Sequence, residues 1–129
     1  MPQTLAEYPQ LHLARRKEIA YVHRRGFRTL RWTYGQLAEL AFRFARELEA
    51  RGIGKGDRVL LWGDNCAEWV GAFFGCMLRG AVAVPMDRIA APDFAQRVMS
   101  DVDAKLIACS SALAIHAGGR PCLELESLM

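Results

Sequence analysis

The chain has 129 residues, 52% hydrophobic and 24% charged, with 17 Lys and Arg against 14 Asp and Glu for a net charge of +3. That length suits one domain with a sizeable core, and the apolar fraction excludes intrinsic disorder. The 11 Gly and 5 Pro exclude a fibrous or low-complexity protein, so residues 1–129 are read as a single domain.

Residues 1–31 hold seven basic side chains against Glu7 and Glu18, and four of the seven (Arg24, Arg25, Arg28, Arg31) fall late in that stretch. There, residues 19–32 (IAYVHRRGFRTLRW) read as a hairpin of two short strands around a turn at Arg25-Gly26. A basic hairpin can attract phosphate-rich partners, but no nucleic-acid motif accompanies it. A solvated, Arg-decorated hairpin without a nucleic-acid partner is the expectation.

Thr33 followed three residues later by Gln36 has the spacing of a capping box. Leu37, Leu40, Ala41, Phe44, Ala45 and Leu48 then recur on one face of a helix, with Glu39 and Arg43 able to pair on the outer face. Arg51 suits the C-terminal dipole and Gly52 a left-handed cap, giving an amphipathic helix over residues 33–52.

Residues 58–109 read as a βαβαβ unit. Val59–Trp62 is a buried strand, and Asn65 with Glu68 offers the start of a nearly all-apolar helix over 66–79 that Gly80 ends. Ala81–Val84 with Pro85 is a second buried strand. Pro92 opens a helix to about Ser100 with Phe94 and Val98 facing inward, and Leu106–Cys109 is a third strand. Residues 110–121 form a loop or short helix, and Cys122–Leu125 one more strand. The fold class is therefore α/β: a parallel sheet with flanking helices in three-layer fashion, plus an N-terminal β-hairpin.

Trp69–Met86 is apolar except for Arg79, but Arg79, Gly80 and Pro85 interrupt it short of the ~20 residues a membrane span needs. The N-terminus carries no apolar signal-peptide core. Cys66, Cys76, Cys109 and Cys122 form no C-x-x-C pair and read as buried, reduced thiols of a cytoplasmic protein. His12, His23 and His116 are too scattered for a metal site.

Ligands of an open parallel sheet gather at the carboxyl ends of its strands. Here those ends are Gly63-Asp64-Asn65, Pro85-Met86-Asp87-Arg88 and Ser110-Ser111, and Asp64 and Asp87 are the polar residues placed to face a ligand. The competing reading has Asp64 and Asn65 capping the following helix and Asp87 anchoring a turn, which by itself explains the residue choice. Gly52, Gly54 and Gly56 end a helix and precede a strand, the reverse of a phosphate-binding loop. With no G-x-S-x-G, H-E-x-x-H or G-x-x-x-x-G-K-[ST] in the chain, no catalytic, cofactor-binding or metal-ligating residue is assigned.

Several linked segments carry a family resemblance. Trp32-Thr-Tyr-Gly-Gln-Leu37 resembles the "L-T-Y-x-E-L" opening of the AMP-forming acyl-adenylating enzymes, which include acyl-CoA synthetases, peptide-synthetase adenylation domains and luciferases. The match continues through Gly52-Ile-Gly-Lys-Gly-Asp57, Asn65, Glu68-Trp69-Val70 and Leu78-Arg-Gly-Ala-Val-Ala-Val-Pro-Met-Asp87. Arg97 and Ala104-Lys105-Leu106-Ile107 fall where the family has its next helix and strand. Val84–Arg97 looks most like the fatty-acid-type acyl-CoA ligases.

The resemblance implies the N-terminal part of an enzyme that joins ATP and a carboxylate into an acyl-adenylate and passes the acyl group to CoA, with Mg²⁺ assisting. It also implies that the Ser/Thr/Gly-rich phosphate loop ending in Lys, the Mg²⁺-linked Glu and the catalytic Lys lie beyond residue 129. Ser110-Ser111 and Gly118-Gly119-Arg120 do not reproduce that loop. Arg120 falls near a CoA 3′-phosphate contact of acetate-type members, but its flanks differ and surface solvation explains it. The expectation is a segment that binds no cofactor and catalyses nothing alone; a stand-alone binding or regulatory module on the same scaffold is the alternative. Truncation is expected to leave a strand edge unpaired and the apolar face around Trp69–Leu78 uncovered, favouring self-association.

Overall fold

The structure is a computed structural model and describes residues 2–128. It opens with a short helix that the periodicity analysis does not anticipate. A 3-10 turn over Leu5–Glu7 leads into α1 (Tyr8–Ala14), with Pro9 in its first turn, where a missing N–H costs nothing. At seven residues α1 would be marginal alone. It is held by packing: the Tyr8 and His12 rings lie 6.2 Å and 5.5 Å from the Phe74 ring, and Pro9 is buried.

The hairpin follows as β1 (Ile19–Arg25) and β2 (Arg28–Thr33), antiparallel with Arg25 opposite Arg28. The turn is therefore Gly26-Phe27, one residue later than expected, with Gly26 supplying the left-handed φ of 63°. Tyr21 and Trp32 pack against the core from one face of the hairpin, and the Trp32 indole N–H donates to His23 Nε2 at 3.0 Å.

Thr33 links the hairpin to α2 (Tyr34–Ala50), and the anticipated capping box is present in full. The Gln36 amide donates to Thr33 Oγ1 at 3.2 Å, and the Thr33 amide to Gln36 Oε1 at 2.8 Å. Glu39 and Arg43 pair at 2.8 Å on the outer face, and Gly52 adopts the expected left-handed φ of 71°. Leu37, Leu40, Ala41, Phe44 and Leu48 are buried; Ala45 is only half-buried, and Ala38 takes the place beside them.

The main sheet comprises β3 (Arg58–Gly63), β4 (Val82–Asp87), β5 (Leu106–Cys109) and β6 (Cys122–Glu124), all parallel in the order β4-β3-β5-β6. The connecting helices are α3 (Ala67–Arg79) and α4 (Pro92–Asp101). Alternation along the central strands builds two cores. Val59, Leu61, Leu106 and Ala108 face α2 and α3, whereas Leu60, Trp62, Ile107 and Cys109 face α4. α2 and α3 come close because α3 presents Gly71 and Gly75; a Cβ on Gly75 would lie 2.8 Å from Phe44 Cβ and 2.9 Å from the Ala41 carbonyl.

Four sequence expectations need correction. The strand around Ala81–Pro85 is not buried: β4 lies at the edge of the sheet, with Val82 45% exposed. In α4 the residues facing the sheet are Ala95 and Met99; Phe94 points outward, 49% exposed, with the Arg97 guanidinium 5.8 Å from its ring centre. Pro92 starts that helix in a phase that puts 95 and 99 inward, one step away from the expected face; Val98 is half-buried, as anticipated. The Asn65–Glu68 pair does not cap α3, whose N-cap is Cys66 without a side-chain cap bond, since Glu68 is buried and bonded elsewhere. Finally, no residue from 66 to 79 is fully exposed: the face around Trp69–Leu78 is partly covered, by α2 on one side and the N-terminal segment on another, with Trp69 left half-buried.

Candidate functional site

The carboxyl ends of β3 and β4 line an open cleft of about 460 Å³, the position expected for a ligand of a parallel sheet. Register determines what meets there. Gly63 pairs with Asp87, so the next residues, Asp64 and Arg88, emerge side by side and form an ion pair at 2.6 Å. Both side chains are more than half exposed, so the pair contributes at most about 1 kcal/mol to stability and remains available to a ligand.

Backbone geometry fixes the rim. Gly63 lets β5 approach: a Cβ there would lie 2.5 Å from Ser110 Oγ. Ser110 Oγ accepts the Asp64 amide at 3.1 Å, and the Ser110 amide donates to the Trp62 carbonyl at 3.1 Å. On the β4 side the Trp62 indole N–H donates to the Asp87 carbonyl at 3.0 Å, and Asp87 Oδ1 accepts the Ile89 amide at 3.1 Å. Trp69, stacked on Phe73 with ring centres 5.9 Å apart, and Met86 supply apolar wall.

Both readings of the two aspartates are thus partly realised. Asp87 anchors the turn after β4, as the structural reading holds, while Asp64 caps nothing and instead faces the cleft with Arg88. Arg88 and Trp69 line the cleft beside the aspartates, and Ser110 braces its rim from behind. The strand-end alignment of Asp64 with Arg88 follows once β3 and β4 are paired, a step that periodicity alone does not take.

The cleft can hold a ligand by stacking and by hydrogen bonds, but it brings no nucleophile to a base. The thiols of Cys66 and Cys76 are inert: burial pushes Cys76 up to about 12, and burial followed by the neighbouring Glu68 carboxylate pushes Cys66 up to about 12. One pH dependence follows. In the unfolded chain these thiols titrate near 9.0, whereas the folded chain keeps their protons to about 12. Between those values the unfolded state binds fewer protons, so stability is full below pH 9 and falls as pH rises toward 12. Urea midpoints measured from pH 7 to pH 11 should show this decline; a flat series, or one unchanged in Cys66→Ala/Cys76→Ala, would contradict it.

The Ser111 amide and hydroxyl both donate to Glu126 Oε2, at 3.0 and 2.8 Å, with Glu124 also 3.3 Å from the hydroxyl. Arg120 is turned away, donating to the Ala104 carbonyl at 3.1 Å and lying 3.7 Å from Asp103. Among the described residues no group of three or more His, Cys, Asp and Glu could hold a metal ion, and no helix is long and apolar enough to cross a membrane.

Comparison with known proteins is consistent across three approaches. The family model described as "AMP-binding enzyme" matches residues 11–126. The chain is 44% identical over 79 residues, 60% of its length, to the long-chain-fatty-acid–CoA ligase FadD13 of Mycobacterium tuberculosis, of which it covers 16%. It is 34% identical over 87 residues, 67% of its length, to the putative acyl-CoA synthetase YngI of Bacillus subtilis, of which it covers 14%. The chain therefore spans about one-sixth of the length of these curated relatives. Among solved structures, a fatty acyl-adenylate ligase from L. pneumophila in complex with acyl adenylate and pyrophosphate superposes with a TM-score of 0.87 and 26% identity. That match covers 100% of this chain and 24% of the other. The N-terminal domain of FACL13 from Mycobacterium tuberculosis matches with a TM-score of 0.83 and 29% identity over 98% of this chain and 35% of that one.

Proposed function

The chain belongs to the AMP-binding enzyme family, and we propose that residues 1–129 are the N-terminal portion of an AMP-forming acyl-CoA synthetase. The parent enzyme activates a carboxylic acid, specifically a fatty acid, with ATP and Mg²⁺ and transfers it to CoA. The observation that carries this reading is the match of the entire chain to a quarter of a fatty acyl-adenylate ligase, supported by the 44% identity to a long-chain-fatty-acid–CoA ligase. When bound, Mg²⁺ would offset phosphate charge during adenylate formation. Among the described residues no group of three or more His, Cys, Asp and Glu would seat it, so no step is assigned to them.

What this segment contributes is scaffold and one wall. The βαβαβ unit holds the Asp64–Arg88 rim and the Trp69 face rigidly, since β3 and β5 are buried and hydrogen-bonded on both sides. By itself the segment forms no acyl-adenylate. Its unpaired edges, β4 and β6, are where self-association would occur, and the compartment that suits reduced thiols is the cytoplasm.

The reading frame beyond the codon for Met129 tests the proposal. Continuation into a Ser/Thr/Gly-rich loop ending in Lys is expected. A stop codon at that point would overturn it in favour of a stand-alone, non-catalytic module.

A further inference from the structure

Two of the four cysteines meet. Cys109 at the end of β5 and Cys122 at the start of β6 place their sulfurs 3.5 Å apart. In the parallel register Cys122 lies opposite Ile107 and Cys109 opposite Glu124, so the thiols face each other diagonally on the side of the sheet covered by α4. Cys109 is fully buried and Cys122 half-buried, so Cys122 is the more accessible of the pair. Cys66 and Cys76 are buried on α3, apart from this pair.

We propose that Cys109 and Cys122 form a peroxide-responsive dithiol that closes reversibly into an intrachain disulfide, clasping β6 to the strand that carries the cleft rim. The half-exposed Cys122 thiolate attacks hydrogen peroxide, breaking the O–O bond and forming a sulfenic acid, with the departing hydroxide protonated to water. Cys109 sulfur then attacks the sulfenic sulfur and gives up its proton, and the sulfenic oxygen leaves as a second water. Two thiols and one peroxide thus become one disulfide and two waters.

Closure brings the sulfurs from 3.5 Å to about 2.05 Å, a shift of about 1.5 Å. That movement falls on Cys122, the first residue of a three-residue edge strand entered from Pro121, rather than on the central strand β5. The clasp reaches the site through one covalent step: Ser110 follows Cys109 and holds the Asp64 amide. Joining 109 to 122 therefore closes the intervening segment 110–121, which contains the 3-10 turn Ser111–His116, into a loop anchored at that rim.

The test is peptide mapping after unfolding and alkylation of the purified chain, before and after a few equivalents of hydrogen peroxide. Expected are loss of two hydrogen atoms by mass, a fall from four alkylated cysteines to two, a Cys109–Cys122 linked peptide, and full recovery with dithiothreitol. Cys122→Ser should abolish the linked peptide and Cys76→Ser should leave it unchanged. The proposal is overturned if Cys122 gains oxygen while Cys109 still alkylates, if the disulfide joins two chains, or if both thiols remain alkylatable. Because the map of the unsubstituted chain decides between these outcomes, a poorly folding variant does not obscure the result.

Discussion

Replacing Arg25 with Met should destabilise the chain by about 3 kcal/mol, a large share of the roughly 5–15 kcal/mol available to a domain of this kind. Glu68 is completely buried at the start of α3; its Oε2 accepts from the Arg25 guanidinium at 2.8 Å and its Oε1 has no hydrogen-bond partner. Removing Arg25 strands the carboxylate in a place where neither water nor another cation neutralises it. Arg25 is itself 41% exposed, which keeps the figure at the low end for a buried pair. Adding Glu68→Gln to Arg25→Met should recover most of the loss, since an uncharged amide is cheaper to bury. Urea unfolding of the parent and of these two variants measures this. A single Arg25→Met variant within 0.5 kcal/mol of the parent would show that the pair does not anchor the hairpin to α3.

Phe44→Ala should cost about 3–5 kcal/mol, as emptying a fully buried aromatic site does. Phe44 fills the space between α2 and α3, against Gly75, and the close helix approach leaves little freedom for collapse around the void. Phe94→Ala, on the exposed face of α4, should change stability by less than about 0.5 kcal/mol. The contrast also checks the corrected phase of α4. A costly Phe94→Ala with a tolerated Met99→Ala would restore the face expected from sequence.

These two results bear on what could be read without a structure. The capping box at Thr33 and the left-handed caps at Gly52 and Gly80 were legible because each is completed within a few residues of chain. The βαβαβ order was legible because short apolar runs and glycine punctuation are also local signals. What escaped depends on neighbours distant in sequence. β4 looks like a buried strand until the order β4-β3-β5-β6 puts it at an edge. α1 has too few residues to announce itself and exists through Phe74. Glu68 has the spacing of a capping residue, yet a partner 43 positions earlier claims it.

The site divides in the same way. Its location at the strand ends, and both aspartates, followed from sequence; the Asp64–Arg88 pair and the Ser110 bridge required the register between strands.

Under the proposed function, this chain is scaffold and cleft wall of an acyl-CoA synthetase and does not adenylate a carboxylate by itself. Carboxylate-dependent ATP–pyrophosphate exchange on the purified 129-residue chain tests it most directly. With fatty acids offered as substrates, exchange should not rise above the protein-free control; clear carboxylate-dependent exchange would contradict the account.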